Sequence, residues 1–222
     1  MFPLRDDRPT YTAPVVTTLL IVACALVFFF ELSLDEYSRD YFITRYGLIP
    51  AHMRPFTLVS SMFLHGGWSH IIGNMLFLWA FGKSLEDAMG HTKFLAFYMI
   101  CGVAAGLAHV FFNPETTLPT VGASGAIAGV MGAYLIKFPR ARIHTLIFLF
   151  IFVTTTDIPA AFILVYWFVT QLFSEYGSIT STQVAAGGVA YAAHIGGFIT
   201  GMILVHFMGV RTRFFPRRDI YW

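Results

Sequence analysis

Apolar and charged positions alternate along this chain in long blocks, not residue by residue. Six stretches carry no charge: Pro9 to Phe30, Pro55 to Gly82, Phe94 to Pro114, Thr116 to Ile136, Ile158 to Ser174 and Tyr176 to Val210. A helix that crosses a bilayer needs about 20 mostly apolar residues, because the hydrocarbon core is about 30 Å thick. The blocks therefore predict one helix each, over 13–32, 69–86, 93–112, 123–138, 158–174 and 188–208. The segment 143–156 is also apolar but short; it carries Thr154–Thr155–Thr156, and Pro159 follows. An interfacial or re-entrant piece is expected there. The longest connection, 33–68, has charges early and aromatics throughout, and loops of that length in compact folds are usually functional. No internal repeat or low-complexity tract interrupts the pattern, which gives no support to an inverted-repeat transporter.

Composition turns six apolar blocks into a membrane assignment. Hydrophobic residues make up 57% of the 222 residues and charged residues only 12%. A soluble domain is about a quarter charged, so a globule of this size would lack a water-facing surface. Cys24 and Cys101 both lie inside apolar blocks and read as small buried hydrophobes. The net charge of +2 is too small to argue for nucleic acid as a partner. With the N-terminus in the cytoplasm, the inner side holds Arg5, Arg8, Lys83, Lys93, Lys137, Arg140, Arg142, Arg211, Arg213, Arg217 and Arg218. The outer side holds Arg39, Arg45 and Arg54. Eleven against three follows the positive-inside bias, so six helices with both termini cytoplasmic are expected. No cleavable signal is expected, since the first apolar block is as long as a full span and Arg5 and Arg8 suit a signal anchor. The short termini fit a prokaryotic plasma (inner) membrane. The C-terminal arginines read as a lipid-headgroup-binding tail.

Polar groups inside hydrocarbon are costly, so each is a functional candidate. His70 and Asn74 stand four apart near the outer start of the second helix and share one of its sides. Ser124 opens the fourth helix within Gly122-Ala123-Ser124-Gly125, and His194 lies about two turns into the sixth. Three separate helices thus bring these groups to a similar depth. Gly125, Gly129 and Gly132 on one helix and Gly197 and Gly201 on the other are small-residue faces through which helices pack closely. Their approach would carry Ser124 toward His194. A serine needs an adjacent base to become a nucleophile, and an imidazole serves best near neutral pH. Asn74 and His70 can aim donors at an oxyanion. Each feature also has a plainer reading: helix packing for the glycine–serine segment, and structural hydrogen bonds for His194, His70 and Asn74. His65 reads as a loop organiser, and Arg54 as an outward-facing residue of the long loop. Asp157 and Glu175 are placed too far from His194 to orient it, so a Ser–His dyad without a third carboxylate is expected. His109 is placed toward the far end of an oppositely directed helix and fits a metal site only loosely. No metal or cofactor is expected.

Taken together, His65-Gly-Gly-Trp-Ser-His70-Ile-Ile-Gly-Asn74, Gly122-Ala-Ser124-Gly125 and Ala193-His194-Ile-Gly-Gly197-Phe-Ile-Thr-Gly201 resemble the rhomboid family of intramembrane serine proteases. The resemblance covers nearly the whole chain and implies one membrane domain over 1–222, an all-α integral membrane fold with a six-transmembrane-helix bundle. It makes Ser124 the nucleophile and His194 the general base, and assigns His70, Asn74 and the Ser124 backbone N–H to the oxyanion hole. It implies a membrane-embedded loop after the first helix and a fifth helix that gates entry of transmembrane-protein substrates from the lipid bilayer. Two positions depart from the family pattern. Many bacterial members carry an aromatic four residues after the serine, packed on the catalytic histidine, where this chain has Ala128. Trp-Arg is frequent in the first loop, where this chain has Met53-Arg54. A rhomboid-like binder of membrane clients predicts that Ser124 and His194 are dispensable; a small channel predicts flux and tolerance of substitution at Ser124.

Overall fold

The computed structural model describes residues 2–149, 152–180 and 190–210. The chain is mostly helical. The long helices are α1 (Val15–Ser33), α6 (His91–Phe112), α7 (Ser124–Lys137), α8 (Ala160–Thr180) and α9 (Tyr191–Leu204). Between α1 and α6, α4 (Trp68–Phe77) passes through a π-helical turn at Leu78–Gly82 into α5 (Lys83–Met89). The junctions at Leu78 and Lys83 keep helical dihedrals, so 68–89 is one continuous helix of about 33 Å. Each of the six helices lies over one apolar block, but α8 runs past the expected end at 174 to Thr180 and takes in the backbone of Glu175. The tail containing Arg211, Arg213, Arg217 and Arg218, and the side chain of Glu175, lie outside the described residues.

By length and composition, α1 and α6 are each apolar and long enough to cross a bilayer. The helices α7 and α9 have 14 residues each, about 21 Å, which is shorter than a hydrocarbon core. They lie against each other through glycine. A Cβ at Gly197 would overlap the carbonyl oxygen of Gly125, one at Gly201 that of Gly129, and one at Gly132 that of Phe198. The glycine faces read from the sequence therefore do meet, backbone on backbone. On the other flank of α7, Gly129 abuts Cys101 of α6, and both cysteines are buried and unpaired.

The connection 33–68 is folded. It contains α2 (Glu36–Tyr46), whose N-cap Asp35 accepts from the Ser38 N–H at 3.0 Å, and the short α3 (Thr57–Ser60). Helix α2 buries none of its residues, and Tyr37 and Tyr41 are exposed. Leu48 and Thr120 exchange two backbone hydrogen bonds, at 2.9 and 2.8 Å, which tie this connection to the segment just before Ser124. Arg54 is exposed, and its carbonyl accepts from Thr57.

The all-helical expectation needs one correction. Arg142–Leu149 (β2) and Phe152–Pro159 (β3) form an antiparallel pair, and Phe2–Asp6 (β1) adds to the edge of β2, with Phe2 opposite Leu146. The interfacial piece expected at 143–156 is thus a pair of strands, built from the β-branched Ile143, Thr145, Ile147, Val153, Thr154, Thr155 and Thr156, a composition that suits a pleated surface. The sheet lies at the end of the bundle opposite Ser124. There Asp6 accepts from the Tyr134 O–H at 2.7 Å and pairs with Lys83 at 3.3 Å. At the same end Glu86 is fully buried and replaces the cap that Pro14 cannot supply to α1. It accepts from the N–H groups of Val16 and Thr17 at 2.8 Å, from Thr17 Oγ1 at 2.6 Å, and stands 2.6 Å from His91 Nδ1. Removing a buried acceptor leaves several donors unsatisfied. We expect Glu86→Leu to lose about 3 kcal/mol or more of stability, read as a lowered thermal midpoint in detergent. An unchanged midpoint would show that the cap is dispensable.

Candidate active site

Ser124 is the first residue of α7, and the sharp entry to that helix is made by Gly122, whose φ of +126° disfavours any residue with a Cβ. The Gly122 N–H donates to the Ser61 carbonyl at 2.9 Å, which fixes the entry to the long connection. A Cβ at Gly122 would stand 2.7 Å from His70 Cε1 and Nε2 and 3.6 Å from Asn74 Nδ2. The side of α4 that bears His70 and Asn74 is therefore pressed against the backbone two residues before Ser124. Asn74 is buried, and its Nδ2 has no hydrogen-bond partner among the described residues. The Asn74 amide thus brings two N–H donors to the turn that leads into Ser124.

The fourth residue arrives from α9. His194 is buried, and its Nε2 lies 2.7 Å from Ser124 Oγ. That pairing requires the close α7–α9 approach described above, since the hydrogen bond spans the gap that the glycines leave. The structure thus brings all four predicted residues together: a bonded Ser124–His194 pair, with His70 and Asn74 lining the turn that leads into Ser124.

His65 behaves as expected of a loop organiser. It is buried; its Nδ1 donates to the Phe63 carbonyl at 3.2 Å, and its backbone N–H points at the Glu31 carboxylate at 3.4 Å. Its ring meets that of His70 edge-on at 5.3 Å. Burial, reinforced by the adjacent His70, pushes its pKa down to about 4, so it packs as a neutral ring. Asp157 lies on β3, 2.9 Å from His144 and remote from His194. His109 lies toward the far end of α6, the helix expected to run opposite to its neighbours. Helix α6 ends beside the start of α7, so His109 sits at the same end of the bundle as Ser124, buried, with Nε2 2.9 Å from Thr120 Oγ1.

Two residues of the site were not read from the sequence. Gln171 on α8 places its Oε1 2.8 Å from His194 Nδ1, and Trp167, one turn earlier, lies against the imidazole with ring centroids 5.5 Å apart. The signal was present: Gln171 is the one strongly polar side chain in the block Ile158–Ser174, and it shares a helix face with Trp167.

A helical bundle with a bonded serine–histidine pair at a glycine-packed helix junction defines a class, and comparison with known proteins names the family. The family model described as Rhomboid domain matches residues 52–211, and the chain belongs to the rhomboid family, whose members are multi-pass, integral membrane proteins. It is similar to Rhomboid protein 1, mitochondrial, of Saccharomyces cerevisiae, 32% identical over 151 residues covering 66% of this chain and 40% of that protein. It is also similar to Rhomboid protease GluP of Bacillus subtilis, 30% identical over 136 residues covering 59% of this chain and 25% of that protein. A third relative, Rhomboid-like protease 5 of Toxoplasma gondii, is 33% identical over 152 residues covering 67% of this chain and 16% of that protein. The chain spans less than half the length of each of these three relatives.

Proposed function

We propose that this chain is an intramembrane serine endopeptidase that hydrolyses a peptide bond in or near a transmembrane segment of another membrane protein. The observation that carries the reading is the 2.7 Å contact between Ser124 Oγ and His194 Nε2. His194 takes the Ser124 proton as Oγ bonds to the scissile carbonyl carbon. The Asn74 amide, His70 and the Ser124 backbone N–H donate to the resulting oxyanion; the first N–H groups of a helix have no intrahelical partner. As the intermediate collapses, the leaving amine takes the proton from the imidazolium. Water then releases the acyl group through the same base. No cofactor enters these steps.

The proposal includes one domain over 1–222 with six spans and both termini cytoplasmic. The charge asymmetry supports that orientation. The lengths of α7 and α9 support a site below the outer surface, since helices of about 21 Å that reach the inner face begin inside the bilayer. A helical substrate hides its carbonyls in internal hydrogen bonds, so it has to unwind locally before attack, and helix-breaking residues near the cut favour cleavage. The relatives include bacterial and mitochondrial proteins; the prokaryotic plasma membrane is part of the proposal.

The test uses purified protein in detergent or liposomes, a reporter transmembrane substrate and a serine-reactive fluorophosphonate probe. Cleavage and labelling in the parent, both lost in His194→Ala, are expected. A folded parent that does neither overturns the proteolytic reading in favour of client binding. Asn74→Ala is expected to slow cleavage about a hundredfold, the loss typical of one principal oxyanion donor. An unchanged rate with intact folding would remove Asn74 from that role.

A further inference from the structure

We propose that Gln171 is the positioning residue of the catalytic base: its side-chain amide holds the His194 imidazole in the tautomer that can accept the Ser124 proton. The assignment rests on the Ser124–His194 reading and on four distances. Gln171 Nε2 points at the Trp167 carbonyl at 3.5 Å and at Thr170 Oγ1 at 3.3 Å, while Thr170 Oγ1 donates to the same carbonyl at 2.6 Å. A carbonyl only accepts, so the amide nitrogen belongs at that end, and Oε1 is the atom that faces His194 Nδ1 at 2.8 Å. An amide oxygen also only accepts. Nδ1 therefore carries the proton, which leaves the Nε2 lone pair toward Ser124 Oγ. Nothing in this chain of donors and acceptors allows the opposite tautomer without leaving a polar atom facing a like partner. The orienting group found elsewhere as a carboxylate is here a neutral amide, which fixes the ring without adding charge.

Trp167 completes the support. Its ring lies beside the imidazole and, at 6.1 Å, beside Phe198 of α9, so the imidazole has an aromatic neighbour although position 128 is alanine. Both supports of the base thus come from α8, so His194 is held ready only while α8 packs against α9.

The test compares Gln171→Met, an apolar near-isostere, with Gln171→Glu. In Gln171→Met, kcat on the reporter substrate is expected to fall about tenfold or more with KM within about twofold, because a buried N–H loses its acceptor while the substrate contacts remain. Gln171→Glu keeps an acceptor and is expected to recover kcat at high pH. Its carboxylate favours the imidazolium, so the acid limb of the kcat profile is expected to move up by about one pH unit. Among the described residues, the other ionisable side chains that act on His194 are His70 from α4 and His109 from α6, and both are unchanged in these variants.

A second readout does not depend on proteolysis. In histidine-¹⁵N-labelled protein, with His194 assigned by its loss in His194→Asn, the parent is expected to show a protonated Nδ1 and an unprotonated Nε2, and Gln171→Met to lose that fixed pattern. The same pattern and its loss in a parent that cleaves nothing would uphold the positioning role while removing the protease reading. An unchanged tautomer together with an unchanged kcat in Gln171→Met overturns the proposal.

Discussion

Ser124→Ala is expected to abolish both cleavage of a transmembrane reporter and labelling by a fluorophosphonate, while the protein keeps its thermal midpoint. The substitution removes one oxygen from a helix start whose neighbours are already small, so packing has little to lose. Its chemical effect is large. Without Oγ no acyl-enzyme forms, and losses on the order of a millionfold are seen when a serine hydrolase loses its nucleophile. In the proposed mechanism Ser124 and His194 act as one unit through the 2.7 Å contact, so their effects should not add. His194→Ala should fall nearly as far, and the double variant no further than the lower single one. Double-variant losses that multiplied would mean that the two residues act in separate steps. Full activity in Ser124→Ala would remove the nucleophile assignment and support a binder that handles clients without cutting them.

The sequence made Ser124, His194, His70 and Asn74 legible because each is a polar group in an apolar block, where chance placement is costly. It also made the α7–α9 contact legible, since glycines four apart on two helices have few uses other than close approach. What stayed hidden depended on pairing across long separations. The strand Phe2–Asp6 finds its partner only at residues 143–146, and no local pattern announces that. Glu86 looks like an ordinary charge next to Asp87 until α1 places its N–H groups on it. Gln171 is hidden because a third partner for a catalytic histidine is usually a carboxylate, and none is near His194 in the sequence pattern. An amide can accept the same hydrogen bond, and it belongs more comfortably in hydrocarbon than an ionised acid.

Gly201→Val tests the architecture beneath the chemistry and is expected to be the most destabilising single change at the helix junction. A Cβ at Gly201 would overlap the Gly129 carbonyl oxygen and lie 2.6 Å from Gly129 Cα, all rigid helical backbone with no side chain free to rotate away. The only relief is to part α7 from α9. That forfeits the contacts along both glycine faces, including Gly197 on Gly125 and Gly132 on Phe198. A loss of about 4 kcal/mol or more is expected, read as a lower thermal midpoint and earlier aggregation in detergent. Gly73→Ala is the matched control. Gly73 lies in α4 with nothing within 4 Å of a built Cβ, so the change should be neutral or stabilising by about 0.5–1 kcal/mol through helix propensity. The site should fail together with the fold. A shift of about 1 Å between α7 and α9 stretches the Ser124–His194 bond beyond useful geometry, and misplacement of that size costs about a hundredfold in rate. A Gly201→Val protein that melts like the parent and cleaves at full rate would show that the dyad is not held together by this backbone contact.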